Sequence, residues 1–156
     1  MSNKSAGNTL AQLLVPGAVA VPLKASSKDA ALEELCNLLA FTGMVPDAAA
    51  ALWAVSAREQ IASTGCGLGV ALPHARLQGL DKAVLAVGLS KPGIDFGAVD
   101  GRPVHIFFLI VGPHNNPEAY LRLLSQIAQL LKEQEFRNAL LSCETAHAVI
   151  GLLRDF

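Results

Sequence analysis

The sequence predicts an α/β fold, a single-domain sandwich with a mixed β-sheet flanked by helices on both faces. Three observations carry that expectation. The run "VHIFFLIV" (104–111) is nearly all apolar and β-rich, as a strand covered on both faces must be. Apolar residues recur at helical spacing before it (Leu32, Leu35, Cys36, Leu39) and after it (Tyr120, Leu124, Ile127, Leu131). Helix-like and strand-like segments alternate, and no repeat, linker or low-complexity stretch divides the 156 residues, so one domain over 1–156 is expected.

Taken in order, residues 9–14 read as a helical turn, and "AVAVPL" (18–23) as a strand that Pro22 places at a sheet edge. Ser26 with Asp29 forms a capping-box variant opening the first long helix, which Gly43 ends. Pro46 then takes a first-turn position in a second helix, running to about residue 60. "KAVLAVGLS" (82–90) reads as a strand, followed by turn signals at Pro92-Gly93 and Asp100-Gly101. After the central strand, Asn116 caps a helix with Pro117 at its first position. Two shorter helices, about 134–142 and 145–154, close the chain.

Composition removes several function classes. Hydrophobic residues make up 52% and charged residues 16%, an apolar balance for a globular chain, with mean hydropathy +0.41. The longest apolar runs, 48–55 and 106–111, are core-sized and fall short of the roughly 18 residues a membrane span needs. The N-terminus has no continuous apolar stretch of the secretory kind, so a cytoplasmic protein is expected. Twelve basic and 13 acidic residues are dispersed without a basic run, which argues against nucleic acid as partner. Cys36, Cys66 and Cys143 are an odd, widely spaced set, so neither a disulfide framework nor a metal site is expected, and no cofactor motif appears. Cys36 lies on an apolar helical stripe.

The stretch "GCGLGVALPHARL" (65–77) is the candidate site. Gly65, Gly67 and Gly69 permit unusual backbone angles and close approach. "VAL" (70–72) reads as a short buried strand that Pro73 stops, leaving His74 just past its end on a stiff support. Cys66, close by, is a less favoured nucleophile because nothing near it stabilises a thiolate.

"REQIASTGCGLGVALPHARL", then "KPGIDFGAVDGRPVHIFFLIVGP" and a helix with "YLRLLSQIAQLL", together resemble the type-2 EIIA domain of the bacterial phosphotransferase system. This is the fructose/mannitol class, and the likeness is strongest to its stand-alone nitrogen-regulatory members. It spans about residues 9–154. The resemblance implies that His74 accepts a phosphoryl group from HPr or an HPr paralogue. It also implies that the domain passes the group to a separate EIIB or, in nitrogen-type members, acts on regulatory targets such as transporters and sensor kinases. Arg58 matches the family arginine, suited to bidentate contact with phosphoryl oxygens or, as its alternative, to the helix C-terminal dipole. Ser63 and Thr64 offer hydroxyls either to phosphate or to the far ring nitrogen of His74, or else are turn residues. Gly65, Gly67 and Gly69 supply amides for a phosphate nest. Leu68, Leu72 and Leu77 are candidates for an apolar rim around His74.

One position departs from the family pattern. Most active members carry a second histidine where this chain has Tyr120, a neutral phenol at pH 7. Packing and function are both open for Tyr120, and His114 is a candidate substitute. His105, in the central strand, and His147, in the last helix, read as structural. Two functions therefore stand against each other: a phosphocarrier, and a non-catalytic EIIA-like interaction module with weakened or lost transfer.

Overall fold

A computed structural model describes residues 10–155. Thr9 and most of the N-terminal stretch read for a secretory leader lie outside them; residues 10–13 are helical, as expected of that turn. Six strands form one mixed sheet in the order β1-β5-β6-β3-β2, with β4 also paired to β6. β1 is Val19–Ala20, β2 Gly65–Gly67, β3 Val70–Ala71, β4 His74–Leu77, β5 Val84–Ile94 and β6 Val104–Pro113. β5 and β6 run antiparallel, while β1 lies parallel to β5, and both β3 and β4 lie parallel to β6. The expected edge position of the 18–23 segment and the central place of the 104–111 run are thus both found.

The two sheet faces carry different helices. Gly88 and Phe107 are register partners and so share a face. A Cβ on Gly88 would lie 2.7 Å from Leu23, which leads into α1 (Lys28–Phe41), and the ring of Phe107 meets that of Phe96 at 5.6 Å. Gly112 points to the opposite face by strand alternation. A Cβ there would overlap the ring of Tyr120, on α3 (Pro117–Leu131). Leu23 and α3 therefore cover opposite sides of β6, whose residues are almost all buried. α2 (Ala48–Ile61), α4 (Gln134–Leu141) and α5 (Ala146–Asp155) complete the helical layers.

Several element ends differ from the sequence reading for identifiable reasons. Ser27, not Ser26, caps α1, its hydroxyl accepting from the Ala30 amide at 3.2 Å. α2 is capped by the Asp47 carboxylate through the Ala49 amide, which leaves Pro46 just outside the helix rather than in its first turn. Asn116 and Pro117 do start α3, although the Asn116 side chain makes no capping bond. On α3, Leu123 and Leu130 are buried with Tyr120, Ile127 and Leu131, whereas Leu124 is only partly covered. Pro92-Gly93 does not turn the chain out of β5. The strand runs on to Ile94 through an irregularity in its pairing with β6. There Gly93 has φ +83° and stands where a Cβ would strike His105 and Pro103 at 2.7 Å. His105 closes the irregularity by donating from Nδ1 to the Ser90 carbonyl at 2.9 Å, a structural role as expected.

Candidate functional site

β3 stops at Ala71, Leu72 and Pro73 form a two-residue step, and β4 resumes pairing with β6 at His74 opposite Ile110. His74 thus opens a strand, half-buried, rather than lying past the end of one. Pro73 fixes its own φ and restricts Leu72, and its carbonyl accepts from the Ile110 amide at 3.0 Å. This stiff step sets the Leu72 carbonyl 2.7 Å from Nδ1 of the imidazole. A carbonyl can only accept, so Nδ1 carries the proton and Nε2 keeps its lone pair. Burial holds the imidazole below its ordinary pKa. The Leu72 bond opposes that shift, the Arg58 charge reinforces it, and Glu59 opposes it. At pH 7 the ring is neutral and nucleophilic at Nε2.

Tyr120 packs beside this ring, centroid to centroid 6.1 Å and tilted by 52°. The glycine at 112 makes room for it, because any side chain there would overlap the phenol ring. Burial pushes the phenol up to about 12, against the pull of Arg76 and Arg58, so it is a neutral group throughout the physiological range. Arg58 sits in the last turn of α2, and its Nη1 donates to the Ala62 carbonyl at 2.8 Å. Its charge reaches both His74 and Tyr120. The helix-end bond and the charge felt at His74 thus belong to one side chain. The Leu72 carbonyl, Arg76 and Glu59 were not singled out from the sequence as site groups. The alternation of His74 and Arg76 along one strand was the available signal for the second of these.

Ser63 and Thr64 serve the loop leading to His74. The Ser63 hydroxyl donates to the Phe96 carbonyl at 3.1 Å and accepts from the Gly65 amide at 3.0 Å. Thr64 donates both its amide and its hydroxyl to the buried Glu59 carboxylate. Neither hydroxyl meets the far ring nitrogen of His74, since Leu72 already occupies it. Lys28 completes the cluster, pairing with Glu59 at 2.9 Å, donating to the Phe96 carbonyl at 3.3 Å and lying over the Phe96 ring.

Gly65, Gly67 and Gly69 shape the β2–β3 hairpin. Gly65 abuts Ala98, where a Cβ would lie 2.8 Å away, and its amide is taken by Ser63. Gly67 and Gly69 adopt φ +91° and +76° to turn the β2–β3 hairpin. Its tip is tied down by Asp100, whose carboxylate accepts from the Arg102 and Leu68 amides and is held below its usual range, chiefly by the Arg102 bond. The Gly69 carbonyl meets the His105 and Ile106 amides. His74 pairs at Ile110, four residues further along β6, roughly 13 Å at strand spacing. Of the candidates for an apolar rim, Leu68 is exposed at that tip, Leu72 is buried, and Leu77 is half-buried on β4, three residues past His74.

The remaining candidates are apart from His74. His114 is exposed beyond the end of β6, four residues past Ile110 in the other direction. His147 is exposed on α5. Cys36 is fully buried, with its thiol pushed up to about 12 by burial. Burial likewise raises the Cys66 thiol, which donates to the Val70 carbonyl and is no thiolate at neutral pH. Among the described residues no cluster of His, Cys, Asp or Glu could hold a metal ion, and no helix is long and apolar enough to cross a membrane.

A mixed sheet flanked by helices, with a half-buried histidine opening β4 behind a proline and the charge of Arg58 acting on it, places the chain among α/β proteins with a histidine-centred candidate site. Residues 12–155 match the model of the phosphoenolpyruvate-dependent sugar phosphotransferase system EIIA 2 family, and the chain belongs to that family. It is similar to a nitrogen regulatory protein of Pseudomonas aeruginosa, 38% identical over 94% of this chain and 95% of that one. The fold matches the crystal structure of the nitrogen regulatory protein IIA-Ntr from Neisseria meningitidis, with TM-score 0.86, 29% identity, and coverage of 93% of this chain and 99% of that one. It also matches, in fold, the enzyme IIA of the mannitol IIA–phosphorylated IIB complex from Escherichia coli (TM-score 0.74, 18% identity, 90% and 96% covered).

Proposed function

We propose that this protein is a phosphocarrier whose His74 takes a phosphoryl group from an HPr-type donor, and whose phosphorylation state is read by protein partners. The observation that carries this is the 2.7 Å contact between Nδ1 of His74 and the Leu72 carbonyl, which leaves Nε2 unprotonated and available. In the transfer, the Nε2 lone pair attacks phosphorus as the bond from phosphorus to the donor imidazole nitrogen breaks. The donor nitrogen keeps the electron pair, and the positive ring charge moves to His74. The Leu72 carbonyl then faces a cationic N–H, a stronger hydrogen bond than before. The nitrogen regulatory relative supports a regulatory output through a transporter or a sensor kinase, and the sugar phosphotransferase family supports onward transfer to a separate EIIB as the alternative. A cytoplasmic location follows from this reading.

Incubated with phosphoenolpyruvate, enzyme I and an HPr-type protein, the chain is expected to gain one acid-labile, base-stable phosphoryl group, mapped by peptide mass to His74. Because burial lowers the imidazole pKa, the rate should hold level from pH 8 to about 6.5, the ordinary histidine value, and fall only below it as Nε2 protonates. A fall that begins above pH 7 would contradict the lowered pKa.

A second reading, an interaction module with weakened transfer, is favoured by the packing of Tyr120. Its ring fills the space over Gly112, and as a neutral phenol it brings no cation to the phosphoryl group. Tyr120→His places a group there that can carry charge, and the transfer rate should rise by tenfold to about a hundredfold. Tyr120→Phe, which preserves the packing, should lower it only slightly. An unchanged rate in both variants would show that Tyr120 is packing alone.

A further inference from the structure

β4 carries a second arginine, two residues past His74 and acting on the neighbouring Tyr120, that the functional reading has not used. His74 and Arg76 alternate on one face of the strand, opposite Ile110 and Gly112 of β6. Gly112 is the residue over which the Tyr120 ring lies, and that ring is 6.1 Å from the imidazole. Arg76 therefore rises from the sheet beside the phenol, on the side facing along β4 from His74. It is exposed and makes no hydrogen bond or ion pair with any described residue. Its charge acts on the Tyr120 hydroxyl more strongly than that of Arg58. Arg58, by contrast, has one of its nitrogens committed to the Ala62 carbonyl.

The chemistry calls for such a group. A phosphoryl on Nε2 brings close to two negative charges into a half-buried position, and Tyr120 cannot offset them. An arginine free of protein partners, with planar donors matched to phosphoryl oxygens, can do so at little cost in existing bonds. We propose that Arg76 is a catalytic residue, its guanidinium binding the phosphoryl oxygens carried on Nε2 of His74. The inference rests on the phosphocarrier reading and names the cation that stands in where Tyr120 supplies none.

Phosphoramidate tests this without a protein donor, so partner docking does not enter the rate. Nε2 attacks its phosphorus, the P–N bond breaks and ammonia leaves. Wild type, R76Q, R76K and H74A are followed by intact mass and by 31P NMR of the phosphorylated chain. R76Q should be phosphorylated about tenfold more slowly, less than the loss at an enclosed oxyanion site because Arg76 is exposed. The pH midpoint of its phosphoryl 31P shift should rise, since a cation in contact with the group is gone. R76K should restore that midpoint and part of the rate. An unchanged rate and midpoint in R76Q would overturn the proposal, as would a slower rate with an unchanged midpoint, which marks a role away from the phosphoryl. A wild type that takes no phosphate, or an H74A protein that takes as much as wild type, overturns the phosphocarrier reading itself.

Discussion

His74→Ala should take up no phosphoryl group from the enzyme I and HPr-type relay, while its unfolding free energy by urea stays within about 1 kcal/mol of wild type. The separation of the two effects follows from how His74 is held. Its imidazole is half-buried and, among the described residues, hydrogen-bonds to the Leu72 carbonyl alone, so truncation removes that bond and part of a ring contact with Tyr120. The backbone that positions it is secured separately, by Pro73 bonding to Ile110 and by the β4–β6 ladder, and that register survives the substitution. Function should vanish and fold should remain. Phosphate undiminished on the variant would move the acceptor to another histidine, with exposed His114 and His147 the first to be tested.

The parts of this fold that depend on local pattern were legible in the sequence. The α1 stripe of Leu32, Leu35, Cys36 and Leu39 is buried as its spacing predicts, and so is the apolar β6 run. The parts that depend on backbone groups or on residues distant in sequence were not. No side-chain pattern announces that the Leu72 carbonyl fixes the tautomer of His74, because every residue has a carbonyl and only the Pro73 step aims this one. Gly67 and Gly69 signalled unusual backbone correctly, and their positive φ values turn the β2–β3 hairpin, whereas Gly65 is needed for its close approach to Ala98. Pro92-Gly93 carried a turn signature, and β6 pairing overrode it by absorbing the extra residues within β5. Arg58 and His74 could be named from the family order of residues. The group that steadies the loop between them, Glu59, stood in the same quoted run without a role because its partner Lys28 comes from α1.

Glu59 accordingly carries the largest expected effect on stability. Its carboxylate is buried, pairs with Lys28 at 2.9 Å, and accepts both the amide and the hydroxyl of Thr64. Glu59→Ala leaves three donors without their acceptor at once. Two of them belong to the loop that enters β2 and is covered by the same cluster, so the loss should be about 3 kcal/mol by urea unfolding, with an unchanged m value. Glu59→Gln keeps an acceptor oxygen for Thr64 but removes the charge facing Lys28, and should cost about half as much. Lys28→Met leaves the buried Glu59 carboxylate without its counter-charge and should cost about as much as Glu59→Gln, since water reaching the 29% exposed Lys28 position offsets only part of the loss. The loop also sets the distance from Arg58 to His74, so phosphoryl transfer should slow most in Glu59→Ala and less, by similar amounts, in Glu59→Gln and Lys28→Met. If Glu59→Ala unfolds at the wild-type urea midpoint, then the cluster positions nothing and Thr64 is held by the β2–β3 pairing alone.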